Sequence, residues 1–240
     1  KLIWHDHYGE SEALNQRPQK VIKIASYFFD GIFSVNQKLK EWAQRELNCR
    51  TVAYIKNFSQ PKPVSLQNKL ENSLLKGAAS SFQIVQVANL RVQKDHLNAL
   101  QAIKRLRDEN IQVNLHLIGA FQEDEYYRSV VEYIKTNNLE KNVFIYGSRS
   151  DVPELLQQVN LGLLSSRSEG LPLSLLEYAK AGLPVVVTDV GQCKEVVGTN
   201  AQVVPKNNPD LLVKAIQYYM EHPMQAKQDA DRLNKKVEEE

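Results

Sequence analysis

Cysteine is scarce in this chain. Only Cys49 and Cys193 occur among its 240 residues, and no C-x-x-C pair is present. A disulfide framework or a thiolate zinc site needs more cysteines at closer spacing, so neither is indicated. We therefore expect a protein of a reducing compartment, the cytoplasm.

Long apolar runs are also missing. None approaches the roughly 20 residues that cross a bilayer as a helix. The opening stretch KLIWHDHYGE lacks the basic and apolar regions of a signal peptide. It also lacks an initiator Met and opens directly on a strand-like run, so we expect that the upstream part of the protein is absent from this sequence.

No excess of charge of one sign exists. Lys and Arg number 30 against 28 Asp and Glu, the net charge is +2, and 42% of the residues are hydrophobic. This composition excludes a collagenous or strongly disordered chain and carries no electrostatic footprint of nucleic-acid binding. We expect no nucleic-acid partner.

What the sequence does contain, from Phe82 onward, is a regular alternation of strands and helices. Strand patterns cover 82–88, 113–119, 143–147, 161–166, 184–188 and 201–205; helix patterns cover 95–110, 124–139, 151–159, 173–182 and 209–222. Strands that are apolar on both faces and alternate with helices predict a parallel sheet covered on both sides. We predict an α/β domain at 82–222 and a further helix at 223–240 that crosses back toward the first domain.

The first 81 residues have a different pattern. Residues 1–57 hold three strand-like runs and one amphipathic helix at 37–47, which would make a marginal core alone. We therefore read 1–57 as the end of a second α/β unit that is incomplete. Residues 58–81 are polar and carry two prolines, which predicts a linker that contains a short helix.

Two carboxylates flank the start of one predicted helix. Glu169 lies in the turn after a strand, and Glu177 lies inside the helix that follows. In an open parallel sheet, ligands bind where strands end and helices begin, and the free N–H groups of a first helical turn attract anions. Pro172 suits that first turn, and Gly170 lets a ligand approach the backbone.

The position of Glu177 suits a particular kind of ligand. Its Cα lies roughly 7–8 Å along the helix axis, and its side chain leans back toward the helix start. A carboxylate there could accept hydrogen bonds from a ribose diol, with a diphosphate at the helix tip and a polar group on Glu169. A nucleoside-diphosphate sugar has this order of parts. On spacing alone an alternative stays open, in which both residues only stabilise the helix: Glu is a good helix former, and an acid near a helix start interacts favourably with the dipole.

The surrounding residues carry a family resemblance. Glu169 and Glu177, within SEGLPLSLLEYAKAGLPVVVTDVG, resemble the EX7E signature of retaining GT-B glycosyltransferases of family four, the group 1 glycosyl transferases. The stretches at 87–106, 115–119, 142–156 and 182–197 follow the order and spacing of that family. The resemblance covers 82–222 well and 1–57 more loosely. It implies a GT-B fold with a Rossmann-like donor-binding domain at 82–222 and part of the acceptor-side domain at 1–57.

The resemblance implies a role for each matching residue. Glu177 would bind the ribose hydroxyls, Glu169 would orient the donor sugar, and Lys94 would bind the diphosphate. Backbone N–H groups after Gly170 would hold phosphate oxygens, Gly119 would let the donor lie against the backbone, and 146–149 would border the base. The implied donor-binding residues are Glu177, Gly170, Leu171, Pro172, Leu173, Ser174, Gly119, Tyr146, Gly147, Ser148, Arg149 and Asn89.

The sequence departs from the family pattern at two places. Asn89 stands where the family has Arg in a G-R-L triplet, and we predict that Arg91 supplies the missing cation. The family's G-x-G is reduced to Gly119-Ala120-Phe121. His5 matches a family histidine that faces the donor sugar across the cleft, although a plain surface loop remains an equal alternative for it. The predicted catalytic residues are thus Glu169, Lys94, Arg91 and His5.

A D-x-D pair at Asp229 and Asp231 lies in the polar helix-like tail. Acids two residues apart on a helix point apart, so we read them as a solvated face rather than a metal site. We expect no metal, because cationic side chains would replace it, and no cofactor other than a nucleotide-sugar donor as cosubstrate.

The activity implied by the resemblance is transfer of a sugar, with retention of configuration, from a nucleoside-diphosphate sugar to a glycan or lipid-linked acceptor. UDP is the favoured nucleotide, and the acceptor would be a growing bacterial surface glycan such as a capsule or lipopolysaccharide. The enzyme would work in the cytoplasm or at the inner face of the membrane, with peripheral membrane contact through the upstream part.

Two alternatives use the same donor site. One is a fragment that binds nucleotide sugar without catalysing transfer, and the other is a GT-B sugar-nucleotide epimerase. An NAD-dependent dehydrogenase is disfavoured, because no G-x-G-x-x-G follows any strand.

Overall fold

The computed structural model describes residues 1–8, 14–55 and 75–239. Its strands are β1 Ile3–Asp6, β2 Gly31–Ser34, β3 Val52–Tyr54, β4 Phe82–Val87, β5 Val113–Ile118, β6 Val143–Gly147, β7 Leu161–Leu164, β8 Val185–Thr188 and β9 Gln202–Val204. Its α-helices are α1 Lys20–Ala25, α2 Gln37–Glu46, α3 His96–Asp108, α4 Glu125–Thr136, α5 Val152–Leu156, α6 Leu173–Lys180, α7 Cys193–Val197, α8 Pro209–Glu221 and α9 Pro223–Glu239. The predicted short helix in the 58–81 linker falls largely outside the described residues.

The N-terminal unit is a parallel sheet with strand order β1-β2-β3. Helix α2 covers this sheet by packing Leu39, Trp42 and Ala43 toward it, and Ile32 of β2 lies in the same apolar cluster as Trp42 and Ala43. The helix begins after Asn36, whose side-chain oxygen accepts a hydrogen bond from the N–H of Leu39 at 2.8 Å. Such a cap pairs one of the N–H groups that a helix start leaves without a partner.

The second unit is a six-stranded sheet with the order β6-β5-β4-β7-β8-β9, and all its pairs are parallel. The chain moves outward from β4 to β6 and then returns to add β7 on the other side of β4. The order of strands therefore reverses between β4 and β7. In doubly wound sheets the crevice at such a reversal, at the carboxyl ends of the strands, is where ligands bind.

Apolar side chains cover both faces of this sheet. Along β4, Ile84 belongs to the cluster that packs against α3, α4 and α8, whereas the adjacent Val85 belongs to the cluster formed with α5, α6 and α7. Both side chains are fully buried. Alternation of this kind is what a strand buried on both faces requires, and it confirms the predicted covered sheet.

The C-terminal helix α9 packs against α6 and α8. The side chain of Asn234 donates to the carbonyl of Ala179 at the end of α6 at 3.0 Å, and Lys236 donates to the carbonyl of Glu195 at 2.7 Å. Within the part of the chain that the structure describes, none of the helices has both the length and the apolar character that membrane crossing needs.

We predicted that both acids of the D-x-D pair lie on a solvated face, and this prediction is wrong for one of them. Asp229 is buried and accepts hydrogen bonds from Tyr219 Oη at 2.9 Å and Gln225 Nε2 at 2.7 Å. Asp231 is exposed and pairs with Lys227. The two carboxylates do point apart, but one side of α9 packs against α8, so the acid on that side is enclosed.

The strands and helices predicted between residues 82 and 222 are all present, within a few residues at their ends. Two short helices were not predicted. Helix α1 has six residues and buries none of them, and α7 has five. Segments this short do not complete two turns, so they leave no hydrophobic period to recognise.

Candidate active site

The site forms where the turns after β4 and β7 meet. The hydroxyl of Ser165, just beyond β7, donates to the carbonyl of Asp95 at 2.9 Å, and the N–H of Arg167 donates to the carbonyl of Gln93 at 2.8 Å. Arg167 also forms an ion pair of 2.8 Å with the buried carboxylate of Asp95. These contacts join the segment that carries Lys94 to the segment that carries Glu169.

Lys94 and Glu169 form an ion pair at this junction. Lys94 Nζ lies 2.7 Å from both carboxylate oxygens of Glu169, and the hydroxyl of Ser166 donates to Oε1 at 2.6 Å. Glu169 is almost fully buried, whereas about a quarter of the Lys94 side chain is exposed. The buried charge is thus compensated from two sides, and the lysine keeps part of its surface open.

A tight backbone approach fixes the turn that carries Glu169. Gly191, after β8, has φ +54°, and a Cβ there would lie 2.1 Å from the carbonyl oxygen of Glu169. The N–H of Gln192 also donates to the carbonyl of Gly170 at 3.1 Å. The conformation of the Glu169–Gly170 turn therefore depends on the absence of a side chain at residue 191.

Gly191→Ala should destabilise the fold by about 3 kcal/mol or more and should also lower activity, because left-handed strain adds to a backbone clash. Gly182→Ala is the matched control, since Gly182 has φ +69° but nothing within 4 Å of its absent Cβ. The control should cost only about 1 kcal/mol. Urea denaturation measures both, and equal losses in the two variants would refute the clash.

Helix α6 starts at Leu173, with Pro172 in the capping position. Its first residue is exposed, so the start of the helix is open to solvent. Glu177 lies one turn further along and is half-buried, and this burial raises the pKa of its carboxyl group. Among the described residues, none forms a hydrogen bond or ion pair with that carboxylate.

The segment after β4 carries two of the predicted cations. Arg91 precedes the 3-10 turn Val92–Lys94, and the N–H of Lys94 donates to its carbonyl at 2.9 Å. The Arg91 side chain is exposed. Asn89 binds the backbone: its side-chain oxygen accepts a hydrogen bond from the N–H of Ala120 at 2.9 Å.

Gly119 directly follows β5 and lies beside that contact. A Cβ on Gly119 would lie 2.2 Å from the carbonyl oxygen of Ala88, so two strand-end turns can approach only because a side chain is missing. The predicted closeness of a ligand to this backbone stays a prediction. The geometry supplies a structural reason for glycine here as well.

The predicted base-binding segment 146–149 has most of its polar side chains engaged. The hydroxyl of Tyr146 accepts from the N–H of Lys76 at 2.8 Å and lies 3.0 Å from Nδ1 of His116. Arg149 pairs with Asp151. Ser148 is exposed, and Gly147 has φ +71°. The predicted contact of this segment with a base stays a prediction.

His5 lies inside β1 rather than after it. Its ring is exposed, lies 3.3 Å from the ring of His7 and packs edge-on against Phe33. Burial and the neighbouring His5 lower the pKa of His7. The role expected for His5 toward a donor sugar stays a prediction.

Three site residues were not identified from the sequence: Ser166, Asp95 and Arg167. Ser166 and Arg167 belong to the stretch SSRSEG, which joins the end of β7 to Glu169. Polar residues at the carboxyl end of a parallel strand are the signal that could have found them. In the described ranges, no group of three or more His, Cys, Asp or Glu side chains could hold a metal ion.

Comparison with known proteins identifies the family. Residues 75–239 match the family described as glycosyl transferases group 1, and this chain belongs to it. An Escherichia coli UDP-Gal:alpha-D-GlcNAc-diphosphoundecaprenol alpha-1,3-galactosyltransferase is 28% identical over 53% of this chain and 33% of its own length. A Bacillus subtilis poly(glycerol-phosphate) alpha-glucosyltransferase is 22% identical over 90% of this chain and 31% of its own length.

Solved structures confirm the predicted GT-B fold. HepE from Anabaena, crystallised with UDP and glucose, has a TM-score of 0.83 at 20% identity, over 99% of this chain and 67% of its own. A mutant of TarM from S. aureus, crystallised with Fondaparinux, alpha-GlcNAc-glycerol and UDP, has a TM-score of 0.78 at 16% identity, over 99% of this chain and 47% of its own. The chain spans about a third of the length of the two curated relatives described above.

Proposed function

We propose that this chain binds the donor of a retaining, metal-independent glycosyltransferase, and that the donor is a UDP-sugar. One observation carries the proposal: Lys94 and Glu169 are paired at the reversal of strand order, with the open start of α6 and an unpaired Glu177 alongside. A cation, a helix start and a carboxylate are the groups that a diphosphate and a ribose diol require.

The names of the relatives support UDP as the nucleotide. The E. coli relative is named for a UDP-Gal donor, and the HepE crystals contain UDP and glucose. In this proposal the ribose hydroxyls donate to Glu177, and the diphosphate lies against the N–H groups from Leu171 to Ser174. The base lies along Gly147 and Ser148, and the donor lies against the protein backbone at Gly119.

Transfer breaks the bond between the anomeric carbon and the diphosphate oxygen and forms a bond to an acceptor oxygen on the same face. Negative charge grows on the leaving diphosphate, where Lys94, Arg91 and the start of α6 act as fixed donors. Each well-placed donor contributes on the order of 3 kcal/mol. The acceptor hydroxyl gives its proton to the leaving phosphate, so no separate base is needed.

Glu169 has a distinct part in this proposal. Its carboxylate already accepts from Lys94 and Ser166, which fixes its orientation. In this proposal a hydroxyl of the donor sugar hydrogen-bonds to the same carboxylate when the donor binds. The sugar is then held by the same group that positions the phosphate-binding lysine.

We further propose that the acceptor is a glycan or is lipid-linked, and that the enzyme contacts the inner face of a membrane peripherally. The E. coli galactosyltransferase is named for a GlcNAc-diphosphoundecaprenol acceptor, and the B. subtilis relative is named for poly(glycerol-phosphate). A further E. coli relative is named a serotype-specific mannosyltransferase. Lipid-linked and polymeric acceptors are therefore the class to test first.

The donor nucleotide can be tested by titrating UDP, GDP and ADP against the protein while its melting temperature is followed. UDP should raise the melting temperature at the lowest concentration. At 100 times the dissociation constant it should add about 2.7 kcal/mol of stability. Stabilisation by ADP or GDP alone would refute UDP, and no shift with any of the three would refute donor binding by this chain.

A further inference from the structure

A buried amide of the N-terminal unit lies against the turn that carries Glu169. Asn36 is 1% exposed, and its Oδ1 caps α2 by accepting from the N–H of Leu39. Its Nδ2 is buried, and none of the residues that the structure describes forms a hydrogen bond with it. Leaving a buried donor unpaired is destabilising, so this group requires an explanation beyond capping.

The surface opposite this amide is Gly170. A Cβ built on Gly170 would lie 3.2 Å from Nδ2 of Asn36 and 3.9 Å from a methyl group of Val35. Gly170 is not among the residues with positive φ, so the backbone conformation does not demand glycine there. What glycine provides is space beside the amide of Asn36, next to Glu169.

A second unpaired polar group lies at the same end of the N-terminal sheet. Ser34, the last residue of β2, is fully buried, and its hydroxyl finds no hydrogen-bond partner within residues 1–8, 14–55 and 75–239. Two orphaned polar groups thus occur within three residues, where β2 ends and α2 begins. Polar groups left unpaired at one strand end indicate a place where a ligand completes the hydrogen bonding.

We propose that Asn36 Nδ2 donates a hydrogen bond to a hydroxyl of the sugar carried by the donor, and that it helps to select that sugar. This inference rests on the function proposed above. A sugar hydroxyl has one hydrogen to give and lone pairs to accept with, so it can donate to Glu169 and accept from Asn36. Lys94 and the start of α6 serve the charged phosphates, whereas a neutral amide suits a neutral hydroxyl.

Two substitutions distinguish the loss of the Nδ2 donor from the loss of the helix cap. Asn36→Ser keeps a good N-cap but removes the Nδ2 donor, and Asn36→Asp keeps the cap and the shape but replaces the donor with an acceptor. Asn208→Ser is the matched control, because Asn208 caps α8 in the same way by accepting from the N–H of Leu211 at 3.0 Å. Melting temperatures check that each variant is folded.

Calorimetry then compares the affinity for UDP with that for UDP-glucose, UDP-galactose and UDP-N-acetylglucosamine. For the UDP-sugar that wild type binds most tightly, Asn36→Ser should weaken binding about fivefold, the loss expected for one neutral hydrogen bond. Asn36→Asp should weaken it more, because an acceptor would then meet the lone pairs of the sugar hydroxyl. Affinity for UDP should not change in either variant, and Asn208→Ser should alter neither affinity.

Three results would overturn this assignment while leaving the proposed function intact. They are unchanged affinity for the UDP-sugar, an equal loss for UDP and UDP-sugar, or an effect confined to the Michaelis constant of the acceptor. Wild type that fails to bind UDP at all would refute the proposed function itself, and this assignment with it.

Discussion

Replacing Lys94 with Met should lower the rate of sugar transfer by about 100- to 1,000-fold. The lysine is the partly exposed cation at the reversal of strand order, and its Nζ is fixed 2.7 Å from both oxygens of Glu169. In the proposed reaction it stabilises the charge that grows on the leaving diphosphate. Release of UDP from the donor, followed with a coupled assay, measures the loss.

A control is needed because Lys94→Met also leaves the buried carboxylate of Glu169 without its cation. Breaking one side of a buried ion pair costs about 3–5 kcal/mol of stability. The double variant Lys94→Met with Glu169→Gln should recover much of that stability but none of the turnover. Lys104→Met, which removes an exposed lysine paired with Asp108 on α3, should leave the rate unchanged.

Recovery of transfer in the double variant would contradict the catalytic role of Lys94, because it would show that only the unpaired charge was harmful. Within the same series, Glu169→Gln alone should lower turnover more than UDP binding. Glu169 is assigned to the sugar, which UDP lacks.

Glu177→Gln should weaken UDP binding about 30-fold, or roughly 2 kcal/mol, through loss of the charged acceptor for the ribose hydroxyls. The substitution preserves the shape of the side chain on α6. Glu132→Gln, at an exposed position on α4, is the matched control and should have no effect. Isothermal calorimetry with UDP measures both, and equal affinity of the Glu177 variant and wild type would rule out the ribose contact.

The same variant should change the dependence of stability on pH. Burial raises the pKa of Glu177 above its ordinary value of 4.5. The folded chain therefore holds this proton more tightly than the unfolded chain does. The ionised Glu177 carboxylate therefore lowers the free energy of unfolding. This effect is absent below pH 4.5 and complete once the pH exceeds the raised pKa.

Glu177→Gln should therefore melt at a higher temperature than wild type at pH 7, and the difference should shrink toward pH 4.5. UDP binding by wild type should weaken over the same interval as the carboxyl group gains its proton, whereas the weaker binding by Glu177→Gln should stay constant. A melting temperature that falls in the variant at pH 7 would mean that the carboxylate has a stabilising partner.

Much of the fold could be predicted because parallel strands buried on both faces leave a strong local signal. Runs such as 161–166 and 184–188 are short, apolar and bounded by turns, and amphipathic helices separate them. Helix α1 left no such signal, since none of its six residues is buried. The burial of Asp229 was missed because a polar composition does not reveal which side of α9 meets α8.

The sequence assigned the residues of the candidate site one by one, but it did not indicate how their side chains are arranged. Lys94 and Glu169 were each assigned through the family resemblance, yet nothing in the sequence indicates that their side chains bond to each other. They are 75 residues apart, and only the placement of β7 beside β4 brings their turns together. Asn36 was missed for a related reason, because its neighbour Gly170 belongs to the other unit.

The decisive measurement is a crystal structure of this chain with UDP bound. The two ribose hydroxyls should lie within hydrogen-bond distance of the Glu177 carboxylate, with the diphosphate against the N–H groups between Leu171 and Ser174. Lys94 Nζ should contact a phosphate oxygen or lie one water away from it. UDP bound at another edge of the sheet, or with its ribose turned away from Glu177, would disprove the assignment of this site.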